Sequence, residues 1–216
     1  MVACVELKAE ALLFDLDGTL VDSTASIVNT WLQWAAEFDV DPAVLADGHG
    51  RTSAQIVADV VPAEHAAAAL ARIIELETAD AANVRAMPGA LELLAALAPE
   101  RWAIVTSGNT LLAGARMRAA GIPVAPIVTA DDVTHGKPHP EPYLLGAARL
   151  GIAPELCVVV EDAPSGIASA RAAGMAVVGI ASTYPADRLA ADFVVDAPSG
   201  LRISGAGPFV VSEVSS

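Results

Sequence analysis

Short apolar runs alternate with stretches of helical periodicity through most of the chain. Runs of consecutive apolar residues are typical of strands buried on both faces of a parallel sheet. Such strands are predicted at residues 11–16, 102–106, 126–129, 157–161 and 176–180. Helices are predicted between them, at residues 110–121, 140–150 and 163–173, together with a short helix that starts at residues 87–89. In that short helix, Leu91, Leu94 and Leu97 are expected on one face.

This alternation predicts an α/β fold, a Rossmann-like parallel sheet with helices on both faces. Three further short strands are predicted near the C-terminus, at residues 193–196, 201–203 and 209–211, with a turn at 205–208 between the last two. We assign no chemistry to this tail.

Residues 23–87 break the alternation, because their apolar positions recur only at helical spacing. The first such stripe contains Ile27, Trp31, Trp34 and Phe38, and two more follow around Ile56 and Ile73. We therefore predict an all-helical cap at 23–87, inserted into a discontinuous core formed by residues 1–22 and 88–216. The insertion leaves the core just after the first strand, so we expect it above the carboxyl edge of the sheet, where open α/β sheets bind ligands.

Composition narrows the class of protein. Of 216 residues 54% are hydrophobic and 18% are charged, which is typical of a folded chain with a sizeable core. No apolar run is long enough to span a membrane, and no signal sequence is recognised. The two cysteines do not suggest a disulfide framework, so a cytoplasmic location is expected. The net charge of −14 argues against nucleic-acid and anionic-membrane partners.

Four polar motifs interrupt the apolar chain, each just past a predicted core strand or in the loop after it. They are Asp-Leu-Asp-Gly-Thr at 15–19, Thr-Ser-Gly-Asn at 106–109, Gly-Lys-Pro-His-Pro at 136–140 and Glu-Asp at 161–162. Because loops after parallel strands meet at one edge of the sheet, these motifs should be neighbours.

The residue types in these motifs suit phosphoryl transfer. Clustered carboxylates are the oxygen ligands that Mg²⁺ prefers. Ser107, placed before a helix, can bind an anion, and Lys137 supplies positive charge to a phosphoryl group. An aspartate can attack phosphorus while a second one acts as general acid and base, and Asp15 and Asp17 suit these two roles.

In this order the four motifs resemble those of the haloacid dehalogenase superfamily, and the helical insertion after the first motif resembles one class of its caps. The closer likeness is to sugar- and polyol-phosphate phosphatases, over about residues 10–196. Further shared stretches are His-Gly-Arg-Thr at 49–52, Thr-Ala-Asp-Asp-Val at 129–133 and Glu-Asp-Ala-Pro-Ser-Gly at 161–166.

The resemblance implies Asp15 as nucleophile and metal ligand, and Asp17 as acid/base that also ligates the metal through its carbonyl. Asp162 would be the third protein ligand of Mg²⁺, with Glu161 holding metal-bound water. Ser107 and Lys137 would hold phosphoryl oxygens. Further residues are expected to contact substrate: Thr19, His49, Arg51, Gly108 and Asn109. The expected partner is a small phosphorylated sugar or polyol, and the chain is expected to be a monomer or small homo-oligomer.

Taken singly, several motifs have structural explanations. Asp-x-Asp-Gly could be a turn or part of a calcium loop, and residues 107–109 could be a helix cap. Lys137 could be a solvated loop lysine. Residues 48–52 could be only a connector between helices of the cap, with Thr52 capping the next one.

Two alternative functions were weighed. A sugar phosphomutase of the β-phosphoglucomutase type has a cap histidine soon after the first motif, and Ile27 stands at about that position here. A non-enzymatic phospho-aspartate switch also has carboxylates, a threonine or serine, and a lysine around its acceptor. In such a switch, however, the acidic pair and the acceptor aspartate follow different strands. A Mg²⁺-dependent phosphatase with an aspartyl-phosphate intermediate is the leading hypothesis.

Overall fold

The computed structural model describes residues 5–45, 48–205 and 208–214. Its strands are β1 (Glu6–Ala9), β2 (Ala11–Phe14), β3 (Val21–Asp22), β4 (Arg85–Ala86), β5 (Trp102–Val105), β6 (Ile127–Val128), β7 (Cys157–Glu161), β8 (Ala176–Ile180), β9 (Phe193–Val195), β10 (Leu201–Ser204) and β11 (Phe209–Glu213). Its α-helices are α1 (Thr24–Glu37), α2 (Ser53–Val60), α3 (Ala63–Asp80), α4 (Ala90–Ala95), α5 (Thr110–Ala120), α6 (Glu141–Leu150) and α7 (Pro164–Ala172). Short 3₁₀ turns lie at Pro42–Leu45, Pro99–Arg101, Ala130–Asp132, Pro154–Leu156, Ala186–Arg188 and Pro198–Gly200.

The main sheet has six parallel strands in the order β6-β5-β2-β7-β8-β9. Strand β2 lies in the centre, where Leu12 is opposite Trp102 on one side and Val158 on the other. Every residue of β2, β5 and β7 is buried, because helices cover both faces of the sheet. The predicted α/β class is confirmed.

Alternate residues of the central strands face two separate apolar layers. Phe14 and Ile104 belong to the layer shared with α4 and α5. Leu13 and Val159 belong to the layer on the opposite face, against Tyr143 of α6 and residues of α7. The sheet is therefore the middle of three layers, and its carboxyl edge is the place where the loops after β2, β5 and β7 meet.

The helical insertion consists of α1, α2 and α3, and it has an apolar cluster of its own. Trp34 is fully buried there against Ile73, and its indole N–H donates to the Ala69 carbonyl at 2.8 Å. The chain enters the insertion after β3 and leaves it before β4. These two strands pair antiparallel, with Asp22 opposite Arg85.

A second sheet of three antiparallel strands, β1-β11-β10, is not hydrogen-bonded to the main one, but its apolar residues, such as Phe209 and Val211, pack into the same cluster as Leu12 and Phe14. Two of the three C-terminal strands predicted from the sequence belong to it, whereas β9 forms the edge of the main sheet. Strand β1 was not predicted. The predicted turn at 205–208 includes residues 206 and 207, which lie outside the described residues, as does Cys4.

The predicted apolar face of α4 was partly wrong. Leu91 is 40% exposed, whereas Leu93, Leu94 and Leu97 are buried. At 100° per residue, Leu93, Leu97 and Leu94 fall within one arc of about 100°, and Leu91 lies outside that arc, so this segment packs through the three buried leucines. In the described part of the chain, no helix has the length and apolar character needed to cross a membrane.

Candidate active site

The polar residues that follow the central strands meet at one edge of the sheet. Asp15 comes directly after β2, Thr106 directly after β5, and Asp162 directly after β7. Asp15, Thr106 and Asp162 are each at most 5% exposed as whole residues. They line one cleft of about 190 Å³ between the sheet edge and the helical insertion.

Lys137 is fully buried and holds two of these loops together. Its ammonium donates to Asp15 Oδ1 at 2.6 Å, to Glu161 Oε1 at 2.8 Å and to the Val105 carbonyl at 2.9 Å. These three contacts use all three donors of the side chain. The ammonium also lies 4.9 Å from the centre of the Tyr143 ring. The solvated-loop alternative for Lys137 does not fit this burial.

Both carboxylate oxygens of Glu161 accept hydrogen bonds within the protein. Besides Lys137, Oε1 accepts from the Tyr143 hydroxyl at 3.0 Å. Oε2 accepts from the main-chain N–H groups of Asp162 at 2.9 Å and Ala163 at 2.8 Å. Glu161 thus anchors Lys137 and the loop after β7. Its predicted contact with metal-bound water stays a prediction.

The buried charges at this edge are unbalanced. Burial raises the pKa of Asp15 to about 8, with Lys137 opposing the shift and Glu161 adding to it. Burial also raises the pKa of Asp162 well above its ordinary value, and the charges of Glu161 and Asp15 add to that shift. Burial opposes the charged form of Lys137, but the two adjacent carboxylates outweigh it and raise its pKa.

A divalent cation fits this arrangement. The side chains of Asp15 and Asp162 offer only oxygen donors, which hard cations such as Mg²⁺ prefer. Their raised pKa values show that the neighbouring cationic groups do not compensate the buried negative charge. An added cation would do so. The donor chemistry is therefore compatible with a magnesium site.

The turn after β2 brings the backbone of Gly18 against Asp162. Gly18 has a φ of +81°, and a Cβ at this position would lie 2.2 Å from Asp162 Oδ2. Thr19, predicted to contact substrate, is fully buried, and its hydroxyl donates to Asp162 Oδ1 at 3.5 Å. In the structure Thr19 therefore supports the Asp162 carboxylate. The turn needs glycine both for its φ and for the close approach of Asp162.

Asp17 is partly exposed and faces the cleft. Its Oδ1 accepts from the Ser23 hydroxyl at 2.7 Å and contacts Arg116 Nη1 at 2.9 Å. Asp15 and Asp17 therefore have different cationic partners, Lys137 and Arg116. This difference suits two carboxylates that are predicted to do different chemistry.

Of residues 107–109, the first two line the cleft and the third caps α5. The Ser107 hydroxyl donates to the Gly50 carbonyl of the insertion at 2.7 Å, while Ser107 and Gly108 line the cleft. Asn109 caps α5, because its Oδ1 accepts from the Leu112 N–H at 2.9 Å. Asn109 lies outside that cleft and lines a neighbouring one. The capping alternative thus describes the contacts of Asn109.

His49 and Arg51 lie in the insertion loop and line the cleft with Asp15. The His49 carbonyl accepts from the Ser165 hydroxyl at 3.0 Å, and burial lowers the pKa of its imidazole. Arg51 Nη2 pairs with Asp59 at 2.6 Å. Thr52 forms a capping box with Gln55 at the start of α2. Thr52 thus caps a helix, as the structural alternative expects, while His49 and Arg51 line the cleft. Substrate contacts of His49 and Arg51 stay predictions.

Two charged residues of the cleft, Arg116 and Glu77, were not predicted from the sequence as site residues. Arg116 is 2% exposed on α5 and Glu77 is 5% exposed on α3 of the insertion. Each stands on the buried face of its helix, with Leu112 and Met117 beside Arg116 and Ile73 one turn before Glu77. A charged residue on an otherwise apolar helical stripe was the signal that could have found them.

The carboxylates and the buried Lys137 lie at the carboxyl edge of a parallel sheet, which is where open α/β sheets bind their ligands. The family model for haloacid dehalogenase-like hydrolases matches residues 12–180. The chain belongs to this family. The predicted family and the predicted class of enzyme, a phosphatase-type hydrolase, are confirmed.

Relatives cover most of the chain. It is 42% identical to hexitol phosphatase A of Escherichia coli K12 over 84% of this chain and 86% of that protein. It is 34% identical to glycerol-1-phosphate phosphohydrolase 2 of Saccharomyces cerevisiae, over 93% of this chain and 87% of that one. Among solved structures, a hydrolase from Pseudomonas syringae superposes with a TM-score of 0.82 at 28% identity, covering 88% and 94% of the two chains.

Proposed function

We propose that this enzyme hydrolyses the phosphate monoester of a small sugar or polyol in two steps, with Mg²⁺ as cofactor. The observation that carries the proposal is the buried Lys137 ammonium, held 2.6 Å from Asp15 at the carboxyl edge of the sheet. The relatives named above add support for the substrate class, since their names specify hexitol and glycerol-phosphate phosphatases.

In the first step, Asp15 attacks phosphorus through a carboxylate oxygen, and the bond from phosphorus to the ester oxygen breaks. Asp17 protonates the departing alcohol at that oxygen. In the second step, Asp17 takes a proton from a water molecule that attacks the same phosphorus. The bond from Asp15 to phosphorus breaks, inorganic phosphate leaves, and both carboxylates return to their starting states.

Other residues position and stabilise the reacting groups. Lys137 holds Asp15 in place and neutralises charge on the phosphoryl oxygens, and Glu161 and Tyr143 fix Lys137 in turn. Mg²⁺ would be held by the carboxylates of Asp15 and Asp162 and the Asp17 carbonyl, and when bound it supplies positive charge to the transferring phosphoryl group. The helical insertion acts as a cap that excludes bulk water from the cleft.

The test is phosphate release from a panel of sugar, polyol and short acid phosphates, measured with Mg²⁺ and again with EDTA. We expect hydrolysis of a few sugar or polyol esters that stops when the metal is chelated and returns when Mg²⁺ is restored. Isomerised sugar phosphate without free phosphate would instead indicate a mutase. No metal-dependent release from any ester would contradict the proposed function.

A further inference from the structure

Arg116 carries hydrogen-bonding capacity that the protein does not use. Its Nη1 pairs with Asp17 at 2.9 Å, but its Nε and Nη2 atoms are buried without a hydrogen-bond partner among the described residues. A guanidinium has five N–H donors, and native structures seldom leave such donors unpaired when they are buried. Arg116 also lines the cleft that contains Asp15. The unpaired nitrogens therefore indicate a missing acceptor.

Glu77 faces the same cleft from the helical insertion. Its Oε2 accepts from the Ser53 hydroxyl at 3.2 Å, and its side chain is almost fully buried. Burial raises the pKa of Glu77, and the charge of Arg116 opposes that shift. Within the described ranges, no N–O contact of 4.0 Å or less joins the two side chains. They line two walls of the cleft, Arg116 from α5 of the core and Glu77 from α3 of the insertion.

The chemistry of these two walls selects one kind of group. A phosphate or carboxylate would be repelled by Glu77, and an ammonium would be repelled by Arg116. An aliphatic carbon would leave the Nε and Nη2 donors of Arg116 unpaired. A hydroxyl satisfies both, because its oxygen accepts from Arg116 while its proton goes to a Glu77 oxygen.

The position of Arg116 also indicates which part of the proposed substrate it contacts. Asp17, its partner, is the proposed proton donor to the departing oxygen, so groups close to Asp17 belong to the leaving alcohol. In the proposed mechanism Arg116 therefore lies beside the carbon atoms next to the ester oxygen.

We infer that Glu77 and Arg116 together recognise a hydroxyl group of the leaving alcohol, and that this pair makes the enzyme selective for polyol phosphates. This inference rests on the proposed function. It assigns selectivity to a pair that spans the core and the insertion, in addition to the loop at residues 48–52.

The experiment compares two esters with the same three-carbon chain, glycerol 1-phosphate and propyl phosphate, at saturating Mg²⁺. The wild type should show a kcat/KM at least tenfold higher for glycerol 1-phosphate. Glu77→Gln and Arg116→Lys should each lower that ratio at least tenfold, mainly by raising KM for glycerol 1-phosphate. Hydrolysis of propyl phosphate should change much less.

Two matched controls lie on the exposed faces of the same helices. Glu75→Gln on α3 and Arg118→Lys on α5 should keep the wild-type ratio, since both side chains are exposed. Folding of each variant is checked by its thermal unfolding temperature. The two test positions lie on separate helices, so a folding defect in one variant leaves the other to decide.

Several results would overturn the inference. A wild-type ratio near one would show that no hydroxyl is recognised. Equal losses for both esters would show that the pair only positions Asp17 or the cap. If the wild type releases phosphate from neither these two esters nor any ester of the panel, the proposed function itself fails, and that outcome is distinct from a loss of selectivity.

Discussion

The two sides of the cleft differ in how completely their charged groups are paired. At the sheet edge, each donor of the Lys137 ammonium and each oxygen of Glu161 has a partner within the protein. On the side towards the insertion, two nitrogens of Arg116 lack a hydrogen-bond partner among the described residues. Fixed partners preorganise the sheet edge for one reaction. The unpaired donors on the opposite side would bind a hydroxyl of the proposed substrate.

The largest expected effect is the loss of the nucleophile at the sheet edge. Asp15→Asn should lower kcat by roughly 10⁴-fold or more, because no attacking oxygen of comparable strength replaces it. The protein should still fold. Steady-state phosphate release and a thermal melt measure the two properties. Asp187→Asn, at an exposed position on the surface, is the matched control. Hydrolysis retained by pure Asp15→Asn protein would refute the mechanism.

Removing the buried cation should affect both activity and stability. Lys137→Met leaves Asp15 and Glu161 facing each other without their shared partner, so we expect a loss of about 3–5 kcal/mol in the free energy of unfolding. Activity should fall roughly 10³-fold, as expected when a preorganised positive charge beside the nucleophile is lost. Urea unfolding and phosphate release measure the two effects.

The only other lysine, Lys8, provides the control for this variant. Lys8 is exposed on β1, so Lys8→Met should leave both quantities near their wild-type values. Wild-type stability in Lys137→Met would show that the two carboxylates do not need the ammonium.

A smaller, more local effect is expected at the turn behind Asp162. Gly18→Ala adds a Cβ that would lie 2.2 Å from Asp162 Oδ2, so Asp162 must move. We expect the Mg²⁺ concentration for half-maximal activity to rise about 10–100-fold, as for changes next to metal ligands. A Mg²⁺ titration of activity measures this.

Gly174→Ala separates this contact from backbone strain. Gly174 has a similar φ of +79°, but a Cβ there meets nothing within 4 Å. Both variants should lose roughly 1 kcal/mol of stability from the positive φ. Only Gly18→Ala should change the Mg²⁺ requirement. An equal change in both would point to strain alone.

The smallest effect is expected in the insertion, far from the chemistry. Arg72 forms two hydrogen bonds to Glu37, at 2.7 and 2.8 Å, and these lower the pKa of Glu37 from 4.5 to about 2. Glu37→Gln should lower the melting temperature near neutral pH by roughly 1–3 °C, since exposed ion pairs contribute little. Activity should not change.

The sign of the pH dependence follows from the lowered pKa. The Glu37 carboxylate stabilises the folded state fully above pH 4.5, and that contribution is lost as the pH falls through about 2. The difference in melting temperature between wild type and Glu37→Gln should therefore shrink in acid. Glu6→Gln, at an exposed position on β1, is the control. A difference that grows in acid would contradict this account.

The core was predicted better than the insertion and the second sheet. The strands β2, β5 and β7 lie where continuous apolar runs indicated them, because a strand buried on both faces leaves this pattern locally in the sequence. Strand β1 has no such pattern. Its pairing with β11 joins Glu6 to Ser212, some two hundred residues away along the chain, and short-range patterns do not contain that information.

The residues of the candidate site also differ in how well the sequence predicted them. The motifs around Asp15, Lys137 and Asp162 stood out because polar groups end apolar strands, and the structure brings them together. Arg116 and Glu77 lie within helices whose stripes indicated packing only. Their position in one cleft depends on how α3 packs against α5, and the sequence alone does not specify that arrangement.

The pair of strands β3 and β4 has a consequence for how such enzymes can diversify. The chain passes between core and insertion there, entering and leaving through two residues that lie opposite each other, Asp22 and Arg85. The entry and exit points are therefore neighbours, so a different helical segment with ends at the same separation could replace this one without re-threading the sheet. Exchange of the insertion by recombination would change the wall of the cleft that faces the substrate. The reacting carboxylates at the sheet edge would stay unchanged.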